Sequence, residues 1–354
     1  MQSNDLSSRE LQVLEAVIRS FVETAEPAGS RTIAKKYNLG VSAATIRNTM
    51  SDLEDRGYLY HPHTSAGRVP TDRAYRVYVD ALMAPSAPTR SERDHLRREL
   101  GGERTAIEVL LASAAEVLGV LTRELGVAVA PSLDVAVLER LELVEVSHDR
   151  LLMVLVLRGG VARTIFVDVA SHLPREAIPA VASVLNERLS GLSLREIRST
   201  LRSRVRDVDG DPSARELLNI FIEEADQLFE ASPGDSDLML GSAKQLVDQP
   251  EFSSNEQMRK LLELTEQRGL LRDALRARKA PGLSITIGAE NFNPQLSSFT
   301  IVTSTFQSGP FRGTIGVMGP TRMPYDKIVT MVEHTSRLLG DLAGEWYDRH
   351  MGDA

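Results

Sequence analysis

Two histidines two residues apart, His61 and His63 in "YLYHPHTSAGRVPT" (58–71), have the residue types for a metal site or a proton-transfer site. A metal centre needs three or four ligands, and the chain contains no cysteine to supply thiolates. Two imidazoles alone are too few. The absence of cysteine also excludes disulfides and thiol catalysis. A catalytic histidine needs a nucleophile and an orienting group, and no recognisable hydrolase motif accompanies this one. Gly313, Gly316 and Gly319 are spaced neither as a dinucleotide fingerprint nor as a Walker loop, so tight turns and close strand–helix packing are expected there. Glu290 and Asn291 are expected to form a turn rather than a ligand contact. No catalytic residue, cofactor or metal is expected.

A different chemistry fits the basic residues. The net charge is −8, so the chain as a whole should not adhere to nucleic acid. Between Pro27 and Ser51, however, there is no Asp or Glu, while Arg31, Lys35, Lys36 and Arg47 are all present. Binding to a polyanion is thereby confined to one short segment.

The elements that must position these residues can be read from caps and periodicity. Ser7 with Glu10 makes a capping box before the helical repeat Leu11, Leu14, Ile18, Phe21, Val22. "AEPAG" breaks that helix, and Ser30 can cap a second, Arg31 to Tyr37. "NLG" turns the chain, and Ser42 caps a third helix ending at Gly57. Two helices joined by a short glycine-containing turn are a helix-turn-helix signature. On the third helix Ile46, Met50 and Leu53 share the core side, with Ala44, Asn48 and Ser51 opposite and Thr45 and Arg47 beside them. These small or hydrogen-bonding side chains suit close approach to base edges. Asp52, Glu54 and Asp55 would be repelled by phosphates, so only the N-terminal half should enter a groove. Tyr58 to His61 and Arg68 to Pro70 then read as a hairpin wing. Gly67 permits its bend, and Arg68 would reach backbone phosphate or the minor groove.

The chain has 354 residues, 42% apolar and 25% charged, enough for two or three domains with real cores. It shows no apolar run near 18 residues and no basic-then-apolar leader, so a cytoplasmic protein without a membrane span is the simplest reading. "APSAPTR" (84–90) is a Pro/Ser/Ala linker. A helix is expected at about 105–125, then three strands in 137–169 with turns at His148-Asp149 and Gly159-Gly160. Helices follow at roughly 174–190, 194–206, 213–231 and 255–278, then strands at 283–289, 298–307 and 312–319. The last helix carries the stripe Ile328, Val332, Thr335, Leu338, Leu342, Trp346. Strands parted by a long helical block suggest one α+β domain split by an insertion.

"EPAGSRTIAKKYNLGVSAATIRNTMSDLEDRGYLYHPHTSAGRVPTDRAYRVYVDAL" resembles the heat-inducible transcription repressor family, HrcA, through Val41 to Asn48 and Pro62 to Arg68. "ITIGAENFNPQLSSFTIVTSTFQSGPFRGTIGVMGPTRMPYDKIVTMVEHTSRLL" is similar to that family's last segment, so the likeness spans nearly the whole chain. Thr49, a flank position on the helical wheel, and Pro324 stand where the family typically has Asp. The resemblance implies an N-terminal winged helix-turn-helix and a GAF-like α+β domain interrupted by a mainly helical dimerising insertion. The corresponding boundaries are 1–83 for the DNA-binding domain, 84–104 for a linker, 105–170 and 261–354 for the two parts of the GAF-like domain, and 171–260 for the insertion. It implies a repressor of chaperone operons that binds an inverted-repeat operator in double-stranded DNA as a homodimer, is released on heat stress, and is kept active by a GroEL-type chaperonin. The expected DNA contacts are Ser30, Arg31, Ser42, Ala44, Thr45, Arg47, Asn48, Ser51, His63, Thr64, Ser65, Gly67 and Arg68. The alternative is a regulator that senses a small molecule in the GAF-like domain.

Overall fold

Ser7 and Glu10 cap each other as expected: the Ser7 N–H donates to Glu10 Oε2 at 2.6 Å and the Glu10 N–H to Ser7 Oγ at 3.3 Å. The structure, a computed structural model, describes residues 6–63, 66–84, 87–101, 107–130, 136–158, 161–169, 177–206, 212–229, 237–277, 281–308 and 311–351. The capping box opens α1 (Ser8–Thr24), which buries Val13, Leu14, Val17 and Ile18 along one face. α2 (Ser30–Lys36) and α3 (Ala43–Asp55) follow. Gly29, not Ser30, is the N-cap of α2; Ser30 already belongs to the helix and makes no cap bond. Gly57 ends α3 with φ +76°, a left-handed position that needs glycine. β1 (Leu59–Tyr60) pairs antiparallel with β2 (Val69–Pro70), and α4 (Asp72–Val77) runs on into a π-helical turn, Tyr78–Leu82.

The segment expected as a linker, 84–104, holds a helix. α5 (Arg90–Leu100) opens with a Thr89–Glu92 capping box and buries Leu96 and Leu100, which a free linker would leave in water. Pro85 and Ser86 lie outside the described residues. α6 (Ile107–Thr122) is followed by β3 (Leu125–Val129), a strand buried at all five positions.

From Ala130 to Asp237 the chain builds a second unit, to which Phe306–Gly313 and the chain from Leu339 onward also belong. β4 (Leu138–Ser147), β5 (Arg150–Leu157) and β6 (Val161–Asp168) form an antiparallel sheet in that order. His148-Asp149 turns β4 into β5, while the Gly159-Gly160 turn lies outside the described residues. α7 (Ala177–Leu189), α8 (Leu194–Val205), α9 (Pro212–Glu223) and short α10 (Ala225–Leu228) follow. Leu141, Met153, Leu155 and Val167 of the sheet share one core with Val181, Leu185, Ile197, Leu201 and Phe221 of the helices. The strands expected in the first GAF-like part thus pack with the helices expected in the insertion, in a contact unit whose central stretch runs from Ala130 to Asp237.

The first unit then resumes. β7 (Leu238–Leu240), α11 (Lys244–Val247), a 3-10 turn at Pro250–Phe252, α12 (Asn255–Glu266) and α13 (Arg268–Arg276) lead to β8 (Leu283–Ile287), β9 (Phe299–Ser308), β10 (Phe311–Pro320) and α14 (Tyr325–Met351). The helix expected at 255–278 is thus two helices meeting at Gln267. The sheet order is β7-β3-β10-β9-β8. Gly313, Gly316 and Gly319 lie inside β10 rather than at turns. A Cβ on Gly316 would collide with the Val302 carbonyl, so glycine here permits close strand packing. Ile328, Val332 and Thr335 of α14 are buried and Leu338 half-buried; the side chain of Trp346 lies outside the described residues. The fold class is α+β.

Glu124, just before β3, is 2% exposed. Burial drives its carboxyl well above the ordinary range, against a hydrogen bond from Gln249 Nε2 at 3.2 Å and the charge of Arg322, while Glu251 adds to the rise. A raised folded-state pKa contributes stability that is complete below the ordinary glutamate value and is lost as pH rises through the folded one. Glu124→Gln is therefore expected to melt above the wild type at pH 8, with the difference vanishing as pH approaches the ordinary value of 4.5. Thermal melts across that range check this.

Candidate nucleic-acid interface

The N-terminal half of α3 presents a polar, exposed surface for a simple reason of periodicity. Ile46, Met50 and Leu53 take the buried side, leaving Ser42, Ala44, Arg47, Asn48 and Ser51 exposed on the other. Thr45 is half-buried beside them. Ser42 Oγ accepts the Thr45 N–H at 3.2 Å and meets Thr45 Oγ1 at 3.0 Å, so both hydroxyls are held at the helix start. Thr49 is not a flank residue. It is 6% exposed, and its hydroxyl donates to the Thr45 carbonyl at 3.2 Å. Its position between Ile46 and Leu53 brings it into the core stripe, where back-bonding satisfies the hydroxyl without a partner from another element.

The hairpin is braced from two sides. Arg68 and Ala28 exchange backbone hydrogen bonds at 2.8 and 2.9 Å, adding the chain before α2 to the β1–β2 pair. This explains Gly67 differently from a bend: its φ is not positive, but a Cβ would lie 2.5 Å from the carbonyl oxygens of Pro27 and Ala28. The His63 carbonyl accepts the Ala66 N–H at 2.9 Å at the tip, and His63 is exposed. Thr64 and Ser65 lie outside the described residues.

Arg68 points inward. Its NH2 pairs with Glu54 Oε2 at 2.7 Å, and its side chain is only 14% exposed, while Glu54 Oε1 contacts His61 Nδ1 at 2.6 Å. One half-buried carboxylate of α3 thus ties down both ends of the hairpin. Sequence reasoning grouped Glu54 with Asp52 and Asp55 as a phosphate-repelling set. The structure leaves those two exposed and gives Glu54 to the β1–β2 hairpin. No local signal marks it, since its partners stand 7 and 14 residues away across a turn.

The cations divide likewise. Lys36 pairs with Glu23. Arg31, Lys35 and Arg47 are exposed and make no ion pair among the described residues. Ser30 and Arg31 sit on the first turn of α2 and Ser42, Thr45, Arg47 and Asn48 on the first turns of α3. Among the described residues no three His, Asp or Glu side chains gather as a metal would require. The ionic groups that line a cleft of about 450 Å³ between α1, the residues before α5 and α14 have partners, some within the lining and some outside it. Tyr78 donates to Asp326 at 2.7 Å, Lys327 lies 3.4 Å from Glu92, and Arg19 lies 3.0 Å from Glu15. Among the described residues no helix is long and apolar enough to cross a membrane.

Comparison with known proteins places the chain in a class. Residues 108–329 match the family described as HrcA protein C terminal domain. The heat-inducible transcription repressor HrcA of Chlorobium phaeobacteroides (strain BS1) is 41% identical over 345 residues, covering 94% of this chain and 97% of that protein. The repressor of the same name from Chlorobaculum tepidum is 41% identical over 353 residues, covering 96% and 98%. A crystal structure described as that of a hypothetical protein shares the fold, with a TM-score of 0.57 at 22% identity over 97% of this chain and 99% of that one. The chain belongs to the HrcA family of heat-inducible transcription repressors.

Removing the Glu54 carboxylate would leave the Arg68 guanidinium half-enclosed without its counter-charge. Glu54→Gln is expected to lower stability by about 1–3 kcal/mol and to speed amide exchange at 59–60 and 69–70 more than within α3. Denaturant melts and hydrogen-exchange mass spectrometry would show this, and unchanged exchange in the hairpin would contradict the bracing role.

Proposed function

We propose that residues 6–83 form a winged helix-turn-helix and that the chain represses chaperone operons by binding an inverted-repeat operator as a homodimer. One observation carries this reading. α3 offers Ser42, Ala44, Arg47, Asn48 and Ser51 on one exposed face, with the uncommitted cations Arg31 and Lys35 beside it on α2. Small side chains allow the helix axis to approach base edges, Arg and Asn can donate and accept in the major groove, and the helix N-terminus favours a phosphate. Direct contact is assigned to Ser30, Arg31, Ser42, Ala44, Thr45, Arg47, Asn48, Ser51 and His63, with Thr64 and Ser65 carried by the family resemblance. Gly67 and Arg68 act by holding the wing.

One short helix and a wing cover too few base pairs for strong specificity, so two copies are needed. The outer face of the β4-β5-β6 sheet supports a second copy as the partner. Val144, Leu152 and Phe166 stand side by side in register, with Val146 next along β4. Val144, Val146 and Phe166 are 47%, 54% and 60% exposed, a patch of a kind that marks association surfaces. Its rim carries both signs, Arg150 with Asp168 at 2.8 Å and Arg140 with Glu142 at 2.8 Å, as a self-complementary two-fold contact requires. The remaining part of the first unit, with its five-stranded sheet and α14, is read as GAF-like. Heat reaches the operator through the folding problem of a core assembled from distant segments. A GroEL-type chaperonin returns active dimer until heat-unfolded proteins occupy it.

Arg47→Ala is expected to weaken operator binding by about 1–3 kcal/mol without lowering the melting temperature, and wild-type binding should fall steeply with salt. Fluorescence anisotropy with an operator duplex at several salt concentrations measures both. Full affinity in a folded Arg47→Ala, Asn48→Ala variant would remove α3 from the interface. Phe166→Glu, placing a charge at the centre of the apolar sheet face, is expected to give a folded monomer in analytical ultracentrifugation with operator affinity reduced by at least ~10-fold. A dimer of unchanged strength would move the contact elsewhere.

A further inference from the structure

Two shielded arginines lock the N-terminal module to the remainder of the same unit, one reaching out from the module and one reaching into it. Arg76 of α4 donates through Nε to Glu290 Oε1 and through NH2 to the Ile285 carbonyl, both at 2.8 Å, and NH2 also pairs with the second Glu290 oxygen. β8 is an edge strand, so the Ile285 carbonyl faces away from the ladder and needs a donor. In the opposite direction Arg322 donates to the Val22 carbonyl at 2.8 Å, while Glu251 holds its guanidinium from the other side, at 2.9 Å to NH2. Val22 lies in the last turn of α1, where carbonyls have no helical partner.

Three further contacts stiffen the joint. The Ala289 N–H donates to Asp72 Oδ2 at 3.0 Å. The 288–290 turn admits that approach because Gly288 adopts φ +53° and a Cβ there would strike the Asp72 carboxylate. The Tyr75 and Tyr325 rings lie 5.6 Å apart, and both side chains are buried. The Tyr78 hydroxyl donates to Asp326 at 2.7 Å. Burial alone would raise Glu290; hydrogen bonds from Arg76 and from the Ile287 N–H outweigh it and hold the carboxylate below its usual value. Arg76 and Arg322 are 29% and 14% exposed, so these are shielded, charge-assisted bonds rather than surface pairs.

We propose that this joint, with Asp72, Arg76 and Arg322 as positioning residues, fixes the orientation of the DNA-binding module and thereby sets the half-site spacing the dimer accepts. The proposal rests on the DNA-binding reading above. Two recognition helices must enter major grooves one helical turn or a multiple apart. A module free to swivel would meet its second half-site at lower effective concentration, whereas a locked module meets it in register. None of the three residues belongs to the proposed DNA face, so their effect on binding acts through geometry.

The test uses the full chain with two separate lesions, Arg76→Ala and Asp72→Asn, each checked as a folded dimer by circular dichroism and ultracentrifugation. Affinity is measured for the inverted repeat, for a version with about 5 bp added between half-sites to turn them half a turn out of phase, and for a duplex with one half-site. Wild type is expected to bind the natural spacing and to lose most affinity for the shifted one. The variants should lose ~10-fold or more on the natural spacing, show a flattened preference between the two spacings, and bind the single half-site as wild type does. A merely structural defect would lower all three together and would overturn the proposal. So would variants that retain the wild-type affinity and spacing preference, or that bind the natural repeat more tightly. A wild-type chain that binds no duplex at all would overturn the DNA-binding reading, and this proposal with it. Failure of one variant to fold leaves the other as an independent readout.

Discussion

β3 is the constraint on which the rest of the first unit depends. Leu125 to Val129 are all buried, and a buried strand must have both of its hydrogen-bonding edges paired. Its partners come from far along the chain: Thr314–Met318 of β10 on one edge and Leu238–Leu240 of β7 on the other. Val129 stands opposite Leu238, and the Ala130 N–H donates to the Asp237 carbonyl at 2.8 Å, so the chain leaves the sheet and returns to it at one point. A whole unit with its own core fits between those two residues. The cost is kinetic, since loop closure over that distance must precede most of the sheet's reward.

Close approach of α6 to this strand follows from missing side chains. A Cβ on Gly126 would collide with the Ala115 carbonyl, and one on Gly241 would lie 2.9 Å from it. The Gly241 N–H donates to the Gly126 carbonyl at 2.8 Å, so the contact that allows helix packing also extends the β3–β7 pairing. Glu124 stays buried at the entrance to the strand because Gln249 and Arg322 face it, and Arg322 is also the residue that reaches the last turn of α1. Core, joint and N-terminal module are therefore connected through a few shared side chains.

Charge counting alone misjudges the N-terminal module. Arg56 pairs with Glu10 at 2.8 Å, Arg68 with Glu54, and Lys36 with Glu23. Arg73 lies over the Tyr58 ring at 4.4 Å and donates to the Arg56 carbonyl at 3.0 Å. Arg76 is taken up by Glu290. Arg9 of α1 is left facing solvent, and so are Arg31, Lys35 and Arg47, which lie on α2 and α3. The carboxylate-free stretch from Pro27 to Ser51 is what leaves the last three uncommitted within their own neighbourhood. The cations that hold the module together are thus distinct from those it leaves exposed.

Local chemistry was readable without coordinates. The Ser7–Glu10 and Ser42 caps, the helical repeat of α1, the buried triplet Ile46, Met50 and Leu53, the β1–β2 hairpin and the α+β class all follow from periodicity and capping, which act over a few residues. Asn291 closes a turn by donating to the Gly288, Leu296 and Phe299 carbonyls, as an Asn in that setting can. Tertiary structure decided whatever depends on residues far apart. β3 and β7 are short apolar runs with no alternation, indistinguishable from helix ends until β10 pairs with one of them and the two pair with each other. The boundary at Ala130 rests on which helices cover β4–β6, and strand patterns carry no record of that. Gly67 looked like a bend and is instead a place where Ala28 needs room. Arg68 looked like a free cation and is instead held by Glu54, because ion pairing depends on distance in space, and the distance between α3 and the wing is set only when the hairpin folds back.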